Sequence, residues 1–125
     1  MSKIQKFTFI VCSEIYKYEA MDTVINLGEA IIKKGHKIIG IFLYGSGVYN
    51  VKERDITATS IRNLPSRLGE FCKKNDAKLA ACSTWISFSG MTPTEFIKGA
   101  CQEGLGGLSD LIARSDKVIF FGPGG

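Results

Sequence analysis

Four cysteines, Cys12, Cys72, Cys82 and Cys101, are the residues of this sequence whose type and placement best suit chemistry. They form no C-x-x-C pair, and His36 is the only histidine, which disfavours both a structural zinc site and a thioredoxin-type redox pair. Cys82 follows the short apolar run Leu79-Ala80-Ala81 and precedes Ser83-Thr84-Trp85. That places it at the downstream end of a strand, where backbone amides and hydroxyls converging on the sulfur favour the reactive thiolate. His36 follows Gly35 at the opposite end of the strands, so a Cys-His hydrolase arrangement is disfavoured. A thiol that needs no base suits accepting or passing sulfur better than acyl transfer. The competing reading is that Cys82 is a small buried hydrophobe.

Cys12 shares the strand-end position and ranks second, with packing favoured over chemistry. Cys72 and Cys101 are read on the apolar faces of helices, beside Leu68 and Phe71 and beside Ile97 and Ala100, and so as core. Around Cys82 the expected cleft lining is Cys12, Tyr44, Gly47, Ser83, Ser89 and Gly90. No metal and no cofactor is expected.

The elements that position these residues follow from hydrophobic period. Phe7 to Cys12 reads as a buried strand, and Ala20 to Lys34 as an amphipathic helix stopped by Gly35. His36 then sits in the turn or caps the helix. Lys37 to Tyr44 is a second strand, and Gly45 to Asn63 is the least regular segment. Pro65 suits the first turn of a helix whose apolar face is Leu64, Leu68, Phe71 and Cys72. Lys78 to Ala81 is a third strand, followed by a hydroxyl-rich turn. Thr92-Pro93-Thr94-Glu95 has the form of a capping box, which predicts a helix from Pro93 to about Cys101. Leu105, Leu108, Leu111 and Ile112 mark another helix, and Lys117 to Phe121 a last strand before a frayed tail from Gly122.

This alternation predicts one three-layer α/β/α domain over residues 1–125, with a mainly parallel sheet of four to five strands. Ligands of such folds sit at the carboxyl edge of the sheet, where Cys12, Tyr44 to Gly47, Cys82 and Gly122 collect.

Other signals are weaker. Gly45-x-Gly47-x-x-Asn50 lacks the third glycine of a dinucleotide fingerprint and follows the wrong strand, while Ser13-Glu14-Ile15-Tyr16 puts an acid where pyrophosphate would lie. Gly104-Leu105-Gly106-Gly107 reads as a tight connection, since no lysine follows it. Sixteen Lys and Arg against twelve Asp and Glu give a net charge of +4, without a basic block dense enough to indicate nucleic acid. The N-terminus lacks the features of a signal peptide, and no apolar run is long enough to span a bilayer, so a cytoplasmic protein is expected. Tyr16, Tyr18, Tyr49 and Trp85 are candidates for a subunit contact, and the uncharged stretches Gly45 to Tyr49 and Trp85 to Met91 suit buried contacts.

Three stretches together resemble the DsrE/TusD family of sulfur-relay proteins, the DsrE/DsrF-like group. They are Phe42 to Asn50 with its Gly-Val-Tyr-Asn ending, Cys82 with seven residues before Gly90, and Gly104 to Leu108 leading to Asp116 to Phe121. The resemblance implies a DsrE-like domain in which Cys82 accepts a sulfane sulfur, holds it as a persulfide and hands it to a partner's cysteine. It further implies sulfur donor and acceptor proteins as partners and a homo- or hetero-oligomer, a trimer or hexamer, with no membrane and no direct nucleic-acid partner. The chain departs from the family pattern at Ser89, where the family often has arginine, and in its first loop, which is commonly rich in Gly and Pro. Two alternatives stand beside sulfur carriage: a non-catalytic subunit of a DsrE-type oligomer, and a small-ligand-binding α/β module.

Overall fold

The computed structural model of the protein describes residues 3–16, 19–54 and 63–122. Five strands form its sheet: β1 (Lys6–Val11), β2 (Lys37–Leu43), β3 (Lys78–Cys82), β4 (Ala100–Glu103) and β5 (Lys117–Phe121). Their order is β4-β3-β2-β1-β5, and every pair is parallel. Among the described residues, four helices connect them: α1 (Ala20–Lys33), α2 (Leu64–Lys74), α3 (Ser83–Ser89) and α4 (Leu105–Arg114). A 3-10 helix spans Gly45–Val51, in the segment expected to be least regular.

Parallel strands need crossovers, and crossovers of one hand fix which face each helix covers. The chain steps outward from β1 through β2 and β3 to β4, then returns past all of them to β5. The return is made by α4, whose Leu111 fills the space above Gly40; a Cβ at Gly40 would lie 2.6 Å from Leu111 Cδ2. Gly40 pairs with Thr8 and with Lys78, so those residues leave the sheet on the α4 side. The two-residue period then puts Ile10, Phe42, Ala80 and Cys101 on the same side, followed by Cys82 and its register partner Glu103. Alternate residues such as Phe9, Ile41 and Leu79 face the other side, where the apolar stripes of α1 and α2 close the core.

Two expectations are corrected. Only Pro93–Glu95 is helical in the segment expected to reach Cys101. The capping box does form, with the Glu95 carboxylate accepting from the Thr92 amide at 2.7 Å, but the chain is extended again at Phe96. Phe96 pairs with Lys52, Gly99 turns through φ +89, and Ala100 onward pairs with β3 as the edge strand β4. A cap starts a helix but does not sustain one when each further residue has a sheet partner to gain. Cys101 consequently lies half-buried on β4, its sulfur 3.6 Å from the Leu79 carbonyl, and not in a helix core. The second correction is the hydroxyl-rich turn after β3, which is the seven-residue helix α3. Tyr18 and residues 123–125 of the expected tail lie outside the described residues. Among the described residues, no helix is long and apolar enough to cross a membrane.

Candidate functional site

Cys82 is both the last residue of β3 and the N-cap of α3. Strand and helix meet there without an intervening loop, so the first free amides of α3 lie immediately beyond the sulfur-bearing residue. Its sulfur makes no capping hydrogen bond. The thiol does not line an open cleft, as the sequence suggested: Cys82 is 2% exposed. Small residues meet where the chain leaves the two strands, since a Cβ on Gly104 would lie 3.9 Å from Ser83 Oγ.

Tyr44 follows the end of β2, the strand beside β3, and its amide donates to the Val11 carbonyl at 2.9 Å. Its ring meets Trp85 edge-on at 5.9 Å, and Trp85 meets Phe88 in the same way at 5.5 Å. This aromatic row runs outward along α3 to Phe88, which is 73% exposed. Ser83 is half-buried and directly follows the thiol. Tyr44 and Ser83 are thus the expected lining residues that the fold gathers beside Cys82.

The other four have structural places. Ser89 ends α3: its hydroxyl donates to the Ile86 carbonyl at 2.7 Å and accepts from the Met91 amide at 3.1 Å. Gly90 follows at φ +77, the left-handed conformation that stops a helix. Both lie a helix length from Cys82, about 10 Å at 1.5 Å per residue. Gly47 is buried against β1, where any Cβ would overlap the Val11 carbonyl. Asn50 fixes this approach, donating to the Ser13 and Gly47 carbonyls at 2.9 Å each. Cys12 is tied to β5 through its amide and the Phe121 carbonyl, 2.8 Å apart. It stands two strand spacings from Cys82, about 10 Å, too far for a disulfide without backbone movement.

Burial pushes the Cys12 and Cys101 thiols above their ordinary value; at Cys101 the Lys78 ammonium opposes the effect and the Glu103 carboxylate adds to it. Cys72, enclosed by α2 and the sheet, is pushed up to about 12 by the same cause. These three are poor thiolates at neutral pH. His36 sits in the turn between α1 and β2, its Nδ1 accepting from the Gln5 amide at 3.0 Å, at the amino end of the sheet. Among the described residues, no group of His, Cys, Asp or Glu is arranged to hold a metal ion.

The sequence reading missed Lys78 and Glu103. Glu103 is the register partner of Cys82, and its carboxylate is ion-paired with Lys78. That ion pair is the main cause holding the Lys78 ammonium above its usual range. A helix reaching Cys101, as the sequence predicts, gives Glu103 no place beside Cys82; the edge strand β4 does. A separate groove of about 600 Å³ runs along α2, lined by Glu70, Cys72, Lys73, Leu79 and Ile97 among others, and does not include Cys82.

Comparison with known proteins bears on the family and the fold. The Sulfurtransferase TusD homolog of Vibrio vulnificus strain YJ016 is 24% identical over 127 residues, covering 93% of this chain and 97% of the relative. A TusD homolog of Aliivibrio fischeri is also 24% identical, over 92% of this chain and 97% of its own length. Among solved structures, the ychN protein of E. coli superposes with a TM-score of 0.80 at 20% identity, covering 94% of this chain and all of its own. MTH1491 of Methanobacterium thermoautotrophicum reaches 0.71 at 16% identity, covering 93% and 98%. These likenesses establish the α/β fold, and the match to the DsrE/DsrF-like family over residues 5–121 establishes that the chain belongs to that family.

Proposed function

We propose that this protein is a sulfur-relay protein that carries sulfane sulfur as a persulfide on Cys82 and passes it to a cysteine of a partner protein. The observation that carries the reading is the junction at Cys82, where a strand ends, a helix begins and the sulfur is used by no capping bond. Amides at the start of a helix present partial positive charge, which suits a thiolate and equally a persulfide anion. Membership of the DsrE/DsrF-like family and the names of the TusD homologs support the same chemistry. Among the four cysteines, Cys82 is the one that closes a strand and opens a helix.

The exchange needs no cofactor and no general base. It needs a reducing compartment, in keeping with the expected cytoplasmic location, and donor and acceptor proteins able to reach the carboxyl edge of the sheet. Residues 1–125 act as one domain in this account, and an oligomer of such domains, a trimer or hexamer, completes the surface around the site. Phe88 at 73% exposure and Phe120 at 60% suit subunit or partner contacts better than open water.

A second reading has one observation in its favour. At 2% exposure Cys82 is as enclosed as the core, as expected of a non-catalytic subunit in which the thiol only packs. Intact-mass measurement after incubation with a small persulfide donor separates the two. The relay reading expects the reduced protein to gain one sulfur and Cys82→Ser to gain none. Equal uptake by both, or uptake by neither, rejects it.

A further inference from the structure

We propose that the Lys78–Glu103 ion pair is a positioning device for Cys82 that sets how much negative charge the sulfur faces. The proposal rests on the sulfur-carrying reading of Cys82. Cys82 and Glu103 are register partners on adjacent parallel strands, so their backbones run about 4.8 Å apart and both side chains leave the sheet on the α4 side. Lys78 leaves β3 on that side too, with Ala80 between it and Cys82. Its ammonium is paired with the Glu103 carboxylate, and Asp110 of α4 also acts on it.

Glu103 is held from a second direction. A Cβ at Gly107 would lie 2.5 Å from Glu103 Oε2, so the absence of a side chain there lets the carboxylate rest on the first turn of α4. The amides of that turn favour an anion, as the Lys78 ammonium does. The one carboxylate neighbouring Cys82 across the β3–β4 ladder is therefore compensated from two sides. Without that compensation it would oppose any negative charge on the sulfur.

The step affected is the exchange itself. The Cys82 thiolate attacks the outer sulfur of a donor persulfide, R–S–SH. The S–S bond of the donor breaks, its electron pair leaves on R–S⁻, and a new S–S bond gives Cys82–S–SH with the proton still on the outer sulfur. Sulfane sulfur is transferred with no net oxidation, and one negative charge passes from Cys82 to the donor. Handing the sulfur on reverses the roles and returns that charge to Cys82, beside Glu103.

The test is site-resolved alkylation of Cys82 by iodoacetamide at neutral pH and low salt, in the full-length parent and in Lys78→Gln, Glu103→Gln, the double variant and Lys78→Arg. With an unpaired carboxylate beside the sulfur, Lys78→Gln is expected to slow the reaction about three- to tenfold, and Glu103→Gln to speed it by a similar factor. The double variant returns to within about twofold of the parent, Lys78→Arg restores most of the parent rate, and added salt shrinks the differences. Thermal melting of each variant reports its fold. Equal rates in all five proteins, or both single variants moving in the same direction as loosened packing would make them, overturn the proposal and leave sulfur carriage standing. A Cys82 that takes no label in any of them removes the sulfur-carrying reading and this proposal with it.

Discussion

Burial on the inner face of α2 keeps the Cys72 thiol neutral far into the alkaline range, with its ionisation pushed from 9.0 up to about 12. Because the folded value lies above the unfolded one, the native state holds this proton more tightly. The resulting stability is fully present below about pH 9 and is lost as pH rises toward about 12. Three units correspond to roughly 4 kcal/mol across that window. Urea unfolding followed over this range should show a steeper loss in the parent than in Cys72→Ala; equal slopes would remove the burial effect. The core place of Cys72 was legible in the sequence because the spacing of Leu64, Leu68, Phe71 and Cys72 reports a helix face whatever lies opposite it. The surroundings of Cys82 were not legible to the same degree. Ser83 is its chain neighbour and Tyr44 belongs to the next strand of a regular alternation, so both could be placed. Glu103 depends on a pairing that no local pattern announces.

Between elements, the decisive contact at the carboxyl edge is the 3-10 helix Gly45–Val51 lying against the end of β1. It holds Tyr44, and through Tyr44 the aromatic row of Trp85 and Phe88 beside the site. Gly47→Ala should force this helix away from Val11. The expected cost is about 3 kcal/mol in urea unfolding, the upper range for overpacking. A change under about 0.5 kcal/mol would mean that the segment does not depend on this close approach. The strongly periodic elements β1, α1, β2, α2, α4 and β5 could be placed because each repeats its pattern over several turns or pleats. The four residues of β4, Ala-Cys-Gln-Glu, repeat nothing and carry little strand preference, so the capping box at Thr92 outweighed them. In α3, the serine and threonine content reads as a turn, yet Trp85 and Ile86 pack inward and make the segment a helix.

At the scale of the whole molecule, helix cover is uneven. Two helices close one face of the sheet, while α4 alone crosses the other and leaves Val118 and Phe120 of the edge strand β5 exposed, with Ile112 exposed on α4. Isolated apolar residues are ordinary on a surface, but Phe120 at 60% and Phe88 at 73% add two large side chains at the carboxyl half of the sheet. Sedimentation should give a mass of several times 13.7 kDa, and Phe120→Asp or Phe88→Asp should lower it; a monomeric parent would contradict the oligomer. The α/β architecture follows from the alternation of elements, whereas the sheet order β4-β3-β2-β1-β5 rests on pairings that the alternation leaves open and the proposed assembly on surfaces that one chain leaves open. The central claim, that Cys82 is the sulfur carrier, is tested most directly by peptide-resolved mass spectrometry of the parent after loading with a persulfide donor. The expected result is one added sulfur on the peptide containing Cys82 and none on those containing Cys12, Cys72 or Cys101. Sulfur mapped to any of those three, with Cys82 unmodified, would contradict the account.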